Sequence, residues 1–103
     1  MKSVHKRNGV VTDLADIYSW IGERNIEAAE RFLIAVDRTF QQIARHPQIG
    51  WMRPWRNKKL RGMRSWRVDG FENFLVFYRD EGAIEVYAVL RGSRRFERLL
   101  RKR

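Results

Sequence analysis

The chain has 103 residues, 22 Lys and Arg against 12 Asp and Glu, a formal charge of +10 and no cysteine. Its length fits one domain, because dividing it would leave two pieces each too small for a core of its own, so a multidomain enzyme is excluded. Disulfide scaffolds, thiolate zinc sites and cysteine nucleophiles go with the missing cysteines, while 44% apolar residues and four Trp supply enough burial to fold despite the charge.

The charge is uneven. Residues 1–50 carry a net +1 and residues 51–103 a net +9. A local surplus of this kind draws in polyanions or acidic protein segments and speeds their encounter, although a basic face can also be merely solvated. The opening residues are polar and offer no apolar leader. No apolar run, Phe74–Tyr78 included, exceeds five residues, against the roughly 20 that span a bilayer. A soluble cytoplasmic protein with no membrane partner is expected.

In chain order, a short edge strand is predicted around Ser3 to Lys6. Val11, Leu14, Tyr18 and Ile21 then recur at helical spacing, with Thr12 or Asp13 as the cap. After a break at Gly22 to Asn25, a second helix starts with Asn25 as its cap. Ile26, Ala29, Phe32, Leu33, Val36, Phe40 and Ile43 form its apolar stripe. Pro47 stops it and Gly50 turns the chain. The short connection predicts an antiparallel helical hairpin.

Leu60–Val68, Phe74–Arg79 and Ile84–Leu90 read as a three-stranded antiparallel meander, with turns at Asp69-Gly70 and Asp80-Glu81-Gly82. Phe74–Tyr78 is apolar throughout, as a central strand covered on both faces should be. In the last strand Ile84, Val86, Ala88 and Leu90 alternate with Glu85 and Tyr87, which assigns them one face toward the helices. Ser93 caps a short tail helix in this reading, with Phe96, Leu99 and Leu100 inward. The fold class is α+β: an N-terminal strand and helical hairpin packed on a small antiparallel sheet, with a short basic C-terminal helix.

Catalytic candidates are few. His5 falls in an edge strand and His46 in a last helical turn, where histidine serves the dipole and neighbouring carbonyls. Asp13 and Asp16 sit where helix N-termini attract acids. No metal-ligand spacing and no glycine-rich phosphate loop occur, and no cofactor is expected. What stands out is arginine beside tryptophan: the loop Trp51-Met52-Arg53-Pro54-Trp55-Arg56-Asn57-Lys58-Lys59, then Arg91, Arg94, Arg95 and Arg98. Such residues stack bases, bind phosphate or clamp carboxylates at protein interfaces. Alternatively, Trp51, Trp55 and Trp66 only close the core.

The ordered set of motifs resembles the ParE toxins of bacterial toxin–antitoxin pairs, within the wider RelE/ParE superfamily. It comprises Thr12-Asp13-Leu14-Ala15-Asp16-Ile17-Tyr18, Ala28-Ala29 with Phe32, and His46-Pro47-Gln48-Ile49-Gly50. Leu60-Arg61, Gly70-Phe71-Glu72-Asn73 running on through Arg79, and Val89-Leu90-Arg91-Gly92 complete it. RelE-like members cut messenger RNA on the ribosome with basic sheet residues and a C-terminal tyrosine, whereas ParE-like members resemble them in fold and poison DNA gyrase. Aligned by sequence, the positions for catalytic groups hold Trp66, Val68, Leu75 and Leu100, and only Arg94 falls where an arginine is expected. Apolar side chains supply neither proton transfer nor charge stabilisation.

The resemblance therefore implies a non-enzymatic toxin domain spanning residues 1–103, with a role in plasmid stabilisation. Its partners would be DNA gyrase, DNA within the gyrase complex, and a ParD-like antitoxin whose acidic segment folds onto the basic half. Arg91, Arg94, Arg95 and Arg98, with Trp55, Arg56, Lys58 and Lys59 as a second patch, are the expected target contacts. The alternatives are a RelE-like ribonuclease centred on Arg94 and Arg61, and a plain basic nucleic-acid binder.

Overall fold

A strand as apolar as Phe74–Tyr78 is stable only if both its faces are covered, and the architecture follows from that requirement. The computed structural model describes residues 1–92 and 95–103. In chain order the elements are β1 (Val4–Lys6), α1 (Asn8–Gly22), α2 (Ile26–Arg45), β2 (Trp51–Met52), a 3-10 turn (Lys58–Leu60), β3 (Arg64–Val68), β4 (Phe71–Glu81), β5 (Ala83–Arg91) and α3 (Phe96–Arg101). The strands form a five-stranded sheet in the order β1-β5-β4-β3-β2. The α1–α2 hairpin covers one face; α3 and the 3-10 turn cover part of the other.

The α+β class, the N-terminal strand and the hairpin are as expected, with differences in detail. Helix α1 begins at Asn8, so Thr12 and Asp13 lie inside it, and Arg7 stands at the N-cap with no side-chain cap bond. Asp13 works across the fold instead. β1 pairs in parallel with β5 only along Ile84–Val86, so the Val89 N–H lies past the end of β1 and donates to Asp13 Oδ2 at 3.0 Å. A strand edge left unpaired by its neighbour is thus satisfied by a helix side chain. Val11 is 67% exposed and Val10 takes its place in the core.

Asn25 caps α2 as predicted, its Oδ1 accepting from the Ala28 N–H at 3.1 Å. The buried stripe runs through Ala29, Phe32, Ala35, Val36, Thr39, Phe40 and Ile43, whereas Ile26 and Leu33 lie outside it and are exposed. Thr39 is a polar residue at a core position, and both its capacities are used. Its hydroxyl donates to the Ala35 carbonyl and accepts from the Asp69 N–H, which ties α2 to the β3–β4 turn.

The meander is longer at one end and shorter at the other than predicted. β4 runs to Glu81, while β3 starts only at Arg64, because Leu60 closes the 3-10 turn and Gly62 breaks the extended backbone with φ at +80°. β2, which reads as loop in the sequence, adds a fifth strand at the edge, pairing Trp51 with Ser65 and Met52 with Arg64.

The facing of β5 also differs from simple alternation. The β4–β5 register shifts between Phe77 and Tyr78, so that Phe77 pairs with Ala88 and Tyr78 with Val86, leaving Tyr87 as the extra residue. A bulge reverses side-chain parity beyond it. Ile84, Val86 and Val89 therefore meet the helices, while Tyr87, Ala88 and Leu90 belong to the opposite cluster with Leu60, Met63, Phe77, Phe96 and Leu100. In α3, Phe96 and Leu100 are buried but Leu99 is 48% exposed. A single short helical turn lays only its i and i+4 positions flat on a sheet. Ser93, the predicted cap, lies outside the described residues.

Where α2 meets the sheet, the Tyr78 hydroxyl donates to the Pro47 carbonyl at 2.8 Å and accepts the Gly50 N–H at 2.9 Å. A Cβ on residue 50 would sit 2.7 Å from that hydroxyl and 2.9 Å from the Ser65 carbonyl oxygen, so only glycine fits. Burial raises the Tyr78 pKa above the ordinary tyrosine value of 10.0; the Gly50 N–H and the charge of Arg64 counter this, and Asp80 adds to it. Tyr78→Phe strands the buried Gly50 N–H and is expected to cost about 1–3 kcal/mol in urea unfolding at neutral pH. Because the folded-state pKa is raised, the unfolded chain loses this proton first. The Tyr78 contribution is therefore complete below about pH 10 and shrinks as pH rises through the folded value, a decline that should be smaller in Tyr78→Phe.

Candidate functional site

The face of the sheet turned away from the hairpin is where the basic half of the sequence collects. Cross-strand partners share a face, so the register puts Trp51, Ser65 and Phe77 in one row and Arg67 and Leu75 in the next. Arg53 extends β2 by one more bond, its N–H donating to the Met63 carbonyl, and points to the same side as Trp51. The Arg53 Nε–H donates to Ser65 Oγ at 2.9 Å. Its guanidinium lies 5.7, 5.7 and 5.5 Å from the ring centroids of Trp55, Phe77 and Phe96. Desolvation by these rings lowers the Arg53 pKa from the ordinary arginine value.

The predicted target residues divide in two. Trp55 stacks on Phe77 with centroids 6.0 Å apart, and Phe77 in turn packs on Phe96 of α3 at 4.7 Å. Trp55 is therefore half-buried and part of the core on this face. Arg56, Lys58 and Lys59 follow it and are exposed. Lys59 Nζ donates to the Arg103 carbonyl at 2.6 Å and to that of Arg101 at 3.3 Å, so the 3-10 turn and the tail form one surface. Arg95 stands at the N-cap of α3 and Arg98 is exposed on it; Arg94 lies outside the described residues.

Arg91 is elsewhere. Its guanidinium covers Trp20 on α1 at 4.3 Å from the ring centroid, where Arg24 also lies at 4.5 Å. Trp51 is 75% exposed and closes no core. Trp66 is half-buried on the hairpin side, its indole N–H donating to Gln42 Oε1 at 3.1 Å.

The positions aligned with ribonuclease groups do not converge. Trp66 and Val68 face the hairpin, whereas Leu75 and Leu100 belong to the other side. On that other side β3 presents Ser65 and Arg67, not Trp66 and Val68. The alternation of Trp51 with Arg53, and of Ser65 with Arg67, was the available signal, hidden because β2 reads as loop. His5 sits on β1 opposite Glu85 and His46 at the end of α2; no side-chain hydrogen bond joins either to another described residue. Among the described residues no group of three or more His, Asp or Glu is arranged to hold a metal ion, and no helix is long and apolar enough to cross a membrane.

The tail is latched at its end as well. The Arg103 guanidinium pairs with Asp13 and donates to the Tyr87 carbonyl at 3.4 Å. α3 is held by the Phe96 and Leu100 side chains, by Lys59 and by this ion pair.

A sequence profile described as the ParE toxin of type II toxin–antitoxin systems, parDE, matches residues 6–96. The chain belongs to the ParE toxin family. A solved structure titled as the chromosomal ParDE TA system from P. aeruginosa superposes with a TM-score of 0.69, covering 90% of this chain and 98% of that one at 18% identity. At that identity the likeness is one of fold. No curated protein sequence gives a significant match. In this ParE-family chain Asp13 serves both the exposed end of β5 and the tail. Asp13→Ala is therefore expected to cost about 1–3 kcal/mol in denaturant unfolding and to speed hydrogen exchange selectively at the Val89 amide.

Proposed function

We propose that this protein is the toxin of a type II pair that arrests growth in the cytoplasm by binding DNA gyrase. It would hold the enzyme's cleaved DNA complex and be neutralised by a ParD-like antitoxin. Membership of the ParE family is the observation that carries this reading. The physical support is a joined cationic surface, made of Arg56, Lys58 and Lys59 with Arg95 and Arg98, beside which stand no paired acid and base for bond cleavage among the described residues.

Cations at this density meet a partner's carboxylates or DNA phosphates with fast, salt-sensitive association. An acidic antitoxin segment gains the same steering, and its ordering entropy is offset by charge-assisted bonds and apolar contact.

The test is a supercoiling assay with purified gyrase. The folded protein should inhibit supercoiling and accumulate cleaved DNA. Replacing Arg56, Lys58 and Arg98 together by Ala should weaken inhibition at least tenfold, while the thermal unfolding midpoint stays within a few degrees, since exposed charges contribute little to stability. Full supercoiling with discrete transcript cleavage on ribosomes would instead assign the protein to the RelE-like ribonucleases.

A further inference from the structure

The sheet face beyond α3 holds a group of residues that the proposed gyrase surface does not use, and whose polar atoms packing leaves only partly engaged. Trp51 is 75% exposed on β2, on the side shared with Ser65 and Arg67. Arg53, on that same side, is held by Ser65 Oγ through Nε alone, and its other guanidinium nitrogens donate to no described residue. No carboxylate forms an ion pair with Arg53 or Arg67 among the described residues. Glu81 and Glu85, on β4 and β5, are taken up by Arg79.

A partly desolvated guanidinium without a counter-ion is poised for an oxyanion. It has already lost part of its hydration, and its orientation is fixed by three rings and a hydroxyl, so little ordering remains to be done on binding. Beside it lies a bare indole on an open sheet edge, and farther along that edge the Arg67 guanidinium stacks on the Trp66 ring, 4.5 Å from its centroid, which leaves its N–H edges for an anion. A hot-spot tryptophan at a protein interface is enclosed by apolar contacts once the partner docks, whereas Trp51 stands on a sheet edge with guanidinium groups as its neighbours. An aromatic platform in a cationic track is instead the arrangement by which unpaired bases stack while their phosphates are neutralised.

We propose that Trp51, Arg53 and Arg67 form a binding site for single-stranded nucleic acid. A base lies on Trp51 and the adjoining phosphates meet the two guanidiniums. Stacking requires an unpaired base, so a duplex is a poor ligand. The site lies apart from the exposed cations of the 3-10 turn and α3, and it does not depend on gyrase.

Fluorescence anisotropy with labelled oligothymidylate and oligouridylate of about twelve nucleotides tests this, using the full chain without gyrase or ribosomes. Trp51→Ala should weaken binding roughly tenfold, with Trp51→Phe retaining most of it. Arg67→Ala should flatten the dependence of log affinity on log salt by about 0.7. Since Trp51 and Arg67 are exposed, both variants should melt with the parent protein. Arg53→Lys, which keeps the charge but loses the fork, should bind more weakly than the parent.

Preference for either strand supports the site and identifies DNA or RNA as its source. Unchanged affinity of folded Trp51→Ala, equal affinity for the matching duplex, or displacement by polyglutamate as effective as by unlabelled strand would each overturn it. Strand binding through Trp51 in a protein that leaves gyrase untouched would sink the gyrase reading and leave this one standing.

Discussion

The structure depends on burying one strand from both sides. β4 places Phe74, Val76 and Tyr78 against the hairpin and Phe77 against the opposite cluster. The first face is covered by two long helices whose apolar stripes suit the task. The second has only a six-residue helix, a 3-10 turn and Trp55. Because those pieces are short, they need ties beyond hydrophobic contact. Lys59, Arg103 and Asp13 provide them, and the Arg53 guanidinium fills the gap among the rings.

That asymmetry explains where the charge lies. Covering a sheet with small elements rich in Lys and Arg leaves their ammonium and guanidinium groups at the rim, since long basic side chains pack their stems on apolar surface and keep their heads in water. The same residues that close the core on this side thus create a cationic surface. Of the chain's cations Lys2, Arg79 and Arg103 are engaged in ion pairs, and Arg56, Lys58 and Arg98 stand exposed. Exposed cations of this kind set up a positive field over this side of the molecule.

Much of this was legible in the sequence because it rests on strong periodicity. The α2 helix with most of its stripe, the apolar β4 run and the Pro47–Gly50 turn read correctly, though Ile26 and Leu33 are exposed, and the motifs led to the family. The errors share one cause, that long-range pairing decides what local pattern leaves open. Asp13 looks like a cap but answers an N–H of residue 89. Trp51 and Arg53 look like loop until a partner strand gives them a common side. Trp66 and Val68 were set beside Leu75 by alignment, yet the pairing of Arg67 with Leu75 puts them on the other face. Arg91, close in sequence to the tail cations, is drawn to Trp20 by an aromatic ring that sequence spacing does not bring near it.

The extra residue at Tyr87 bears on how chains of this kind can diverge. If the chain kept Tyr87 but ran straight through this point without the bulge, every side chain from position 88 onward would change sides, sending Leu90 among the helices and Val89 beneath α3. The bulge thus absorbs one residue: a chain lacking that residue would pair Val86 and Ala88 consecutively and keep the whole downstream stretch on its present faces. Comparison with a relative that has no bulge must therefore place a gap at position 87, since an ungapped alignment would exchange inner for outer positions in every column that follows.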